Sequence, residues 1–144
     1  MQKIKEVEEA KAIMTEAINW SVMKWLREKK RVRKAADVAN AALDSTIASL
    51  KGGWDKEFRS SYDQLGAKDP KGSAELMATA RKVKQSEEAA KKARDDAEKT
   101  FDDAENQLST TMAREGCRKA IHSWELHEHV IRLAESGVSA RTKP

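Results

Sequence analysis

The chain has 144 residues and only one cysteine, Cys117, so it cannot form an internal disulfide bond. A disulfide framework of the kind that holds small secreted domains together is therefore excluded. The first residues, MQKIKEVEEAKAIMTE, lack the apolar core of about 7–15 residues that a signal peptide requires. No apolar run approaches the ~20 residues of a membrane-spanning helix. These absences favour a cytoplasmic location.

Glycine and proline, which interrupt helices, are scarce as well, with six and two copies. Aromatic residues make up only 5% of the chain, whereas charged residues make up 36%. Apolar residues nevertheless recur throughout, and the mixture is the alanine-, glutamate- and lysine-rich one of long helices. The net charge of +4 is only weak support for a partner such as nucleic acid. The composition predicts an all-α protein.

The few glycines and prolines predict where the helices begin and end. Residues 1–51 contain neither, Gly52 and Gly53 follow, and the segment GAKDPKG occupies residues 66–72. Apolar residues recur every three or four positions on both sides of this segment, as in an amphipathic helix. We therefore predict a helix over 2–65 with a kink near 52–53, a loop over 66–72, a helix over 74–136 and a flexible tail over 138–144.

Two helices of similar length joined by a short loop predict a long antiparallel hairpin, a single coiled-coil-like domain over residues 1–137. With Leu65 and Ser73 beside the turn, the numbers of facing residues add up to about 138. This register places the alanine-rich stretch 35–48 opposite the alanine-rich stretch 89–104. Small side chains on both helices allow the two backbones to approach closely, which supports the hairpin.

The open end of this hairpin, where the chain begins and ends, is too apolar for two helices alone. Each helix carries a second apolar stripe there, and three of the four tryptophans lie in this region. A face of this width favours a homodimer in which two hairpins form a four-helix bundle. The alternatives are a different protein partner, or helix 1 folding back at residues 20–34 to cover the face. The predicted interface consists of Ile13, Ala17, Trp20, Met23, Leu126, Val130 and Leu133.

The segment MKWLREKKRVRK, residues 23–34, is the most basic part of the chain. Four of its cations recur at the spacing of one helix face and form a basic stripe, namely Lys24, Arg27, Arg31 and Lys34. This stripe is a candidate site for a polyanion, either nucleic acid or an anionic membrane surface. A solvated face or salt bridges are the simpler interpretation, because the predicted register also brings Arg33 within reach of Asp102. No zinc-finger, RRM or helix–turn–helix pattern accompanies the stripe.

Residues suited to metal chemistry are few. His122, Glu125 and His129 lie at positions i, i+3 and i+7 on one helix face and are weak candidates for a divalent metal. A di-iron bundle needs Glu-x-x-His motifs on two helices, and the chain contains none. We therefore predict no metal and no cofactor. Cys117 and His127 lie on the apolar seam, where we expect an inert thiol and a hydrogen-bonded histidine.

The sequence contains no phosphate-binding loop and no dinucleotide fingerprint. Two helices also rarely build the cleft that positions a nucleophile beside its base. We predict that the protein is not an enzyme and has no catalytic residue. The leading hypothesis is a structural, scaffold-like protein that interacts with other proteins. The alternative hypotheses are polyanion binding by the basic stripe and a metal-binding helical bundle.

Overall fold

The structure, a computed structural model, describes the backbone of residues 4–65 and 70–142 and the side chains of residues 4–52 and 77–135. This part of the chain contains helices and no strand, which confirms the all-α prediction. None of its helices is both long enough and apolar enough to cross a membrane. The helices are α1 (Lys5–Ala17), α2 (Val22–Leu65), α3 (Pro70–Gln107) and α4 (Thr110–Thr142).

The continuous helix predicted over 2–65 is wrong, because the chain reverses at residues 18–21 and α1 folds back along α2. The last turn of α1 tightens, since the amide of Trp20 donates to the carbonyl of Ala17 at 3.1 Å. Ser21 then caps α2, with its hydroxyl oxygen accepting the amide of Lys24 at 3.2 Å. The covered face includes Met14, which is fully buried. Folding back of helix 1, considered above as an alternative to a partner, is the arrangement observed.

The helix predicted over 74–136 is also interrupted, at residues 108 and 109, so that α4 runs back along α3. Lys119 of α4 donates from its Nζ to the hydroxyl oxygen of Thr100 of α3 at 3.1 Å. The two helices approach closely at Gly116, where an added Cβ would lie only 2.8 Å from Cδ1 of Phe101. The glycine is therefore needed for the packing of α3 on α4, and it does not end a helix.

The core lies where α4 packs between the other helices. Trp124 of α4 is buried and donates from its indole Nε1 to Oδ1 of Asn40 on α2 at 2.8 Å. Lys11 of α1 reaches Glu128 of α4 at 2.8 Å. The largest fully buried side chains are those of Trp124, Met14, Leu43, His127, Val7, Val32, Val130, Cys117 and Ser123.

Over the residues whose side chains are described, α2 packs less closely on α3 than α4 does. Three ion pairs join α2 to α3 there: Arg33–Asp102 at 3.0 Å, Arg94–Asp44 at 2.8 Å and Lys51–Glu87 at 3.1 Å. The residue numbers of these pairs add up to between 135 and 138, close to the sum expected for the hairpin. In the described part α4 packs against both helices, and coiled-coil packing of α2 on α3 stays a prediction.

Two further predicted boundaries differ from the structure. Helix α2 is unbroken through Gly52 and Gly53, and the kink near 52–53 stays a prediction. Helix α3 begins at Pro70, a residue suited to the first turn of a helix. The loop predicted over 66–72 therefore ends before residue 70. Residues 66–69 lie outside the described backbone. Helix α4 continues to Thr142, beyond the predicted end at 136 and into the predicted tail.

Candidate functional site: an apolar groove beside the second turn

An apolar groove opens between the first three turns of α2, the last turns of α3 and the start of α4. Its volume is about 230 Å³. The lining is mostly apolar and comes from all three helices and from the turn at 108–109. Its main contributors are Val22, Trp25, Leu26, Phe101, Ala104 and Leu108. The reversal of α3 into α4 at this level of α2 thus creates a concave surface with apolar walls.

Large apolar side chains remain exposed around this groove. Leu108 is 81% exposed, and Val22 and Leu26 are each 54% exposed. We call these three residues the apolar rim. The floor beneath them is buried and contains Trp25, Val32 and Phe101. Neighbouring exposed apolar side chains above a buried apolar floor are typical of an interaction site.

Leu108 has an unusual backbone conformation, with a positive φ of 52°. Its amide bonds to the carbonyl of Glu105 at 3.4 Å, and the amide of Ser109 bonds to the carbonyl of Ala104 at 3.0 Å. This hydrogen-bond pattern is a Schellman motif at the end of α3, in which the left-handed position usually holds glycine. Here it holds leucine, although the left-handed conformation costs a residue with a side chain about 1–2 kcal/mol.

Two charged residues face the groove from opposite walls, Lys29 on α2 and Glu105 on α3. Neither forms a salt bridge with any other residue whose side chain is described. Arg33 also lines the groove, but its guanidinium is already engaged by Asp102 at 3.0 Å and lies 5.4 Å from the centre of the Phe101 ring. The groove therefore presents one available cation and one available anion, on different helices.

The interface predicted at the open end is largely covered by the chain itself. Ala17, Trp20 and Val130 are buried within the chain, so they cannot also form the surface that meets a second chain. Ile13 and Leu126 are partly buried and pack against the core, and Leu133 is half-buried. These residues are buried because α1 folds back and covers the apolar face. The sequence predicted that a partner chain would cover it. Of the predicted interface only Met23 is exposed, and it does not line the groove.

The basic stripe lies on α2 with all four cations exposed: Lys24, Arg27, Arg31 and Lys34. Its contacts are weak, since Arg31 lies 3.8 Å from Glu28 and the Lys24 ammonium lies 5.3 Å from the centre of the Trp20 ring. The helical repeat of 3.6 residues places this stripe nearly opposite Val22, Leu26 and Lys29 around α2. The basic stripe and the groove are therefore separate surfaces.

The weak metal candidates His122, Glu125 and His129 are exposed on α4. Among the residues whose side chains are described, no three His, Cys, Asp or Glu side chains lie close enough together to hold a metal ion. The described side chains therefore give the metal-bundle hypothesis no support.

Buried His127 belongs to a polar network that joins three helices and ends at the exposed carboxylate of Asp44. Its Nδ1 donates to the carbonyl of Ser123 at 2.7 Å, which leaves Nε2 free to accept from Nη2 of Arg94 at 3.0 Å. Nη1 of Arg94 in turn bonds both carboxylate oxygens of Asp44 at 2.8 Å. Burial, aided by the positive charge of Arg94, lowers the pKa of His127 below its usual value of 6.5. The network therefore favours a neutral histidine.

At the single thiol, burial outweighs the activating positive charge of nearby Arg118. Cys117 is completely buried, and burial raises its pKa to about 12. A thiol held in its protonated form is a poor nucleophile and a poor metal ligand. Cys117 thus contributes packing to the core, as its position on the apolar seam suggested.

Comparison with known proteins leaves the groove as the main basis for a functional argument. No protein-family model, no curated protein and no solved structure matches this chain.

Proposed function

We propose that this chain is a non-enzymatic helical protein that binds another protein through its apolar groove. The observation that supports the proposal is the apolar rim, three large side chains that stand exposed above a buried apolar floor. Leaving such side chains in water is unfavourable, because each square ångström of apolar surface removed from water contributes about 25 cal/mol. A protein that covered the rim would therefore gain binding free energy directly.

The chemistry of the groove favours binding of an apolar protein element. Its depth suits one or two apolar side chains that would contact Trp25 and Phe101 on the floor. Aromatic side chains in a desolvated pocket are the usual centres of protein interfaces. The charged residues at its edge, Lys29 and Glu105, would orient the partner without dominating its affinity.

The proposal is tested by comparing Leu26→Asp with a matched control, Val38→Asp, in affinity purifications from the native cell. Leu26 and Val38 are both exposed apolar residues of α2, but only Leu26 lines the groove. We expect Leu26→Asp to remove a protein that co-purifies with the wild type and with the control. Equal retention of that protein by both variants, or equal loss, would show that the groove is not the binding site.

A second candidate function, polyanion binding, is supported by the full exposure of the basic stripe. Its only ion pair among the described side chains is the long contact of Arg31 with Glu28. The double variant Arg27→Glu, Lys34→Glu tests this function by titration with duplex DNA and with vesicles containing phosphatidylserine. If the stripe binds polyanions, wild-type affinity falls steeply with salt and the variant does not bind. Absence of wild-type binding at low salt eliminates this candidate.

A further inference from the structure

The groove and its rim provide both a protruding apolar side chain and an apolar cavity. In a two-fold symmetric dimer the same patch is used by both chains, so it must contain a protruding group and a cavity that receives it. Leu108 is the most exposed large apolar side chain of the described residues, and it stands at the edge of the groove. A two-fold axis beside Leu108 would allow each chain to insert this leucine into the groove of the other.

The charges of the groove also suit a two-fold symmetric dimer. Lys29 lies on the α2 wall and Glu105 on the α3 wall, and neither has an ion-pair partner among the described side chains. A two-fold axis that runs along the groove places the α2 wall of one chain against the α3 wall of the other. Lys29 of each chain would then face Glu105 of the other, and the contact would occur twice. A strongly acidic or strongly basic partner would instead meet a like charge on one wall, which is unfavourable.

The backbone of Leu108 gives an independent reason to expect a partner for its side chain. Glycine would satisfy the Schellman motif at this position without the cost of the left-handed conformation. Within a single chain the leucine recovers little of that cost, because its side chain is mostly exposed. Burial of the same side chain in a second chain would offset the cost.

From these three observations we propose that the partner in the groove is a second copy of this chain, docked about a two-fold axis with Leu108 and the Lys29–Glu105 pairs at its centre. This inference rests on the proposed function, because it assigns an occupant to the same groove. It moves the dimer contact away from the chain-terminal end predicted from the sequence, to the region beside the second turn.

Sedimentation equilibrium of the purified full chain over a wide concentration range tests the inference. We expect a monomer–dimer equilibrium in the wild type and in the control Val38→Asp. Leu108→Asp should raise the dissociation constant at least about tenfold, since a charge then enters an apolar cavity. Because Leu108 is exposed in the single chain, this variant should retain its helical circular dichroism. A monomeric wild type at every concentration would overturn the inference.

A charge exchange makes the test specific for the two walls of the groove. Lys29→Glu and Glu105→Lys should each weaken the dimer, and the double variant should restore it. Restoration of the melting temperature alone, with the dissociation constant unchanged, would indicate an intrachain pair and would overturn the dimer arrangement. A wild-type dimer that is insensitive to Leu108→Asp and to the charge exchange would do the same.

The outcomes also separate this inference from the proposed function. If the wild type is monomeric but Leu26→Asp still removes a different co-purifying protein, the groove binds another protein and the second-copy inference is wrong. If the wild type is monomeric and no protein depends on Leu26, both proposals fail.

Discussion

The start and the middle of α2 carry the same kind of apolar pattern, but the start is exposed and the middle is buried. In the middle, Leu43 is completely buried, because α4 packs over this part of the helix. At the start, Val22 and Leu26 remain exposed, since the turn at 108–109 leaves a groove beside them. Apolar periodicity thus shows that a helix face needs a cover, but it does not show whether the same chain provides it.

The comparison between the start and the middle of α2 is tested most strongly by replacing one leucine in each region with alanine. Leu43→Ala should lower the free energy of unfolding by about 2–5 kcal/mol, because it opens a cavity in the closed core. Leu26→Ala makes the same chemical change on the same helix but should cost less than about 1 kcal/mol in the dilute chain. Urea unfolding followed by circular dichroism measures both. Equal losses would mean that the start of α2 is as well covered as its middle.

A second test compares two glycines that lie within helices. Gly116→Ala should lower the free energy of unfolding by about 1–2 kcal/mol, because the new Cβ overlaps the buried ring of Phe101. Gly52→Ala should raise it by about 0.5–1 kcal/mol, since nothing lies within 4 Å of the new Cβ and alanine favours the helix. Adding Phe101→Leu should rescue Gly116→Ala. A stabilising Gly116→Ala would contradict the close approach of α3 and α4.

The two chain reversals explain which parts of the fold follow from the sequence. The all-α class, the register of Arg33 with Asp102 and the exposure of the basic stripe all depend on helical periodicity, which is local and visible in the sequence. The breaks at 18–21 and 108–109 contain no glycine and no proline, so composition alone does not mark them. Their local signals are weaker, a serine at position 21 and another at 109, each of which caps the helix that follows.

The groove could not be predicted for the same reason. It exists only because Leu108 takes a left-handed conformation that most sequences reserve for glycine, so its residues look like one continuous helix face in the sequence. The predicted dimer interface failed where α1 covers it, since a wide apolar stripe is equally compatible with a partner chain and with a fold-back. Tertiary packing, not local propensity, decides between the two.

A third prediction concerns the first reversal, which is held by side chains more firmly than the second. Trp25 donates from its indole Nε1 to the carbonyl of Ala17 at 3.0 Å and packs edge-on against Trp20, with ring centres 5.5 Å apart. Trp25→Phe keeps an aromatic ring but removes this buried hydrogen bond, so it should cost about 1–1.5 kcal/mol. Thermal unfolding measures the loss, and hydrogen exchange should show faster opening of α1. An unchanged melting temperature would show that the bond does not hold the reversal.

Because His127 is buried, we expect the stability of the fold to depend on pH. The dependence is absent near neutrality and grows as the pH falls. Because the pKa of His127 is lowered in the folded state, the unfolded state binds the proton more readily below pH 6.5. The contribution of neutral His127 to the free energy of unfolding is therefore fully present above pH 6.5. It is lost as the pH falls towards the lower folded-state pKa. Denaturant unfolding measured at intervals from about pH 8 to 5 should show this loss. His127→Gln should flatten the profile in this window, and an unchanged slope would contradict the assignment.

The second reversal predicts the smallest change in stability, and one of opposite sign. Leu108→Gly removes the cost of the left-handed conformation and sacrifices little burial, so it should stabilise the isolated chain by about 0.5–1 kcal/mol. The same substitution removes the side chain that we place in the groove of the second copy, so it should weaken self-association. A residue that destabilises its own chain yet strengthens an assembly is positioned for contact. A variant that is both more stable and equally dimeric would show that Leu108 does not contribute to self-association.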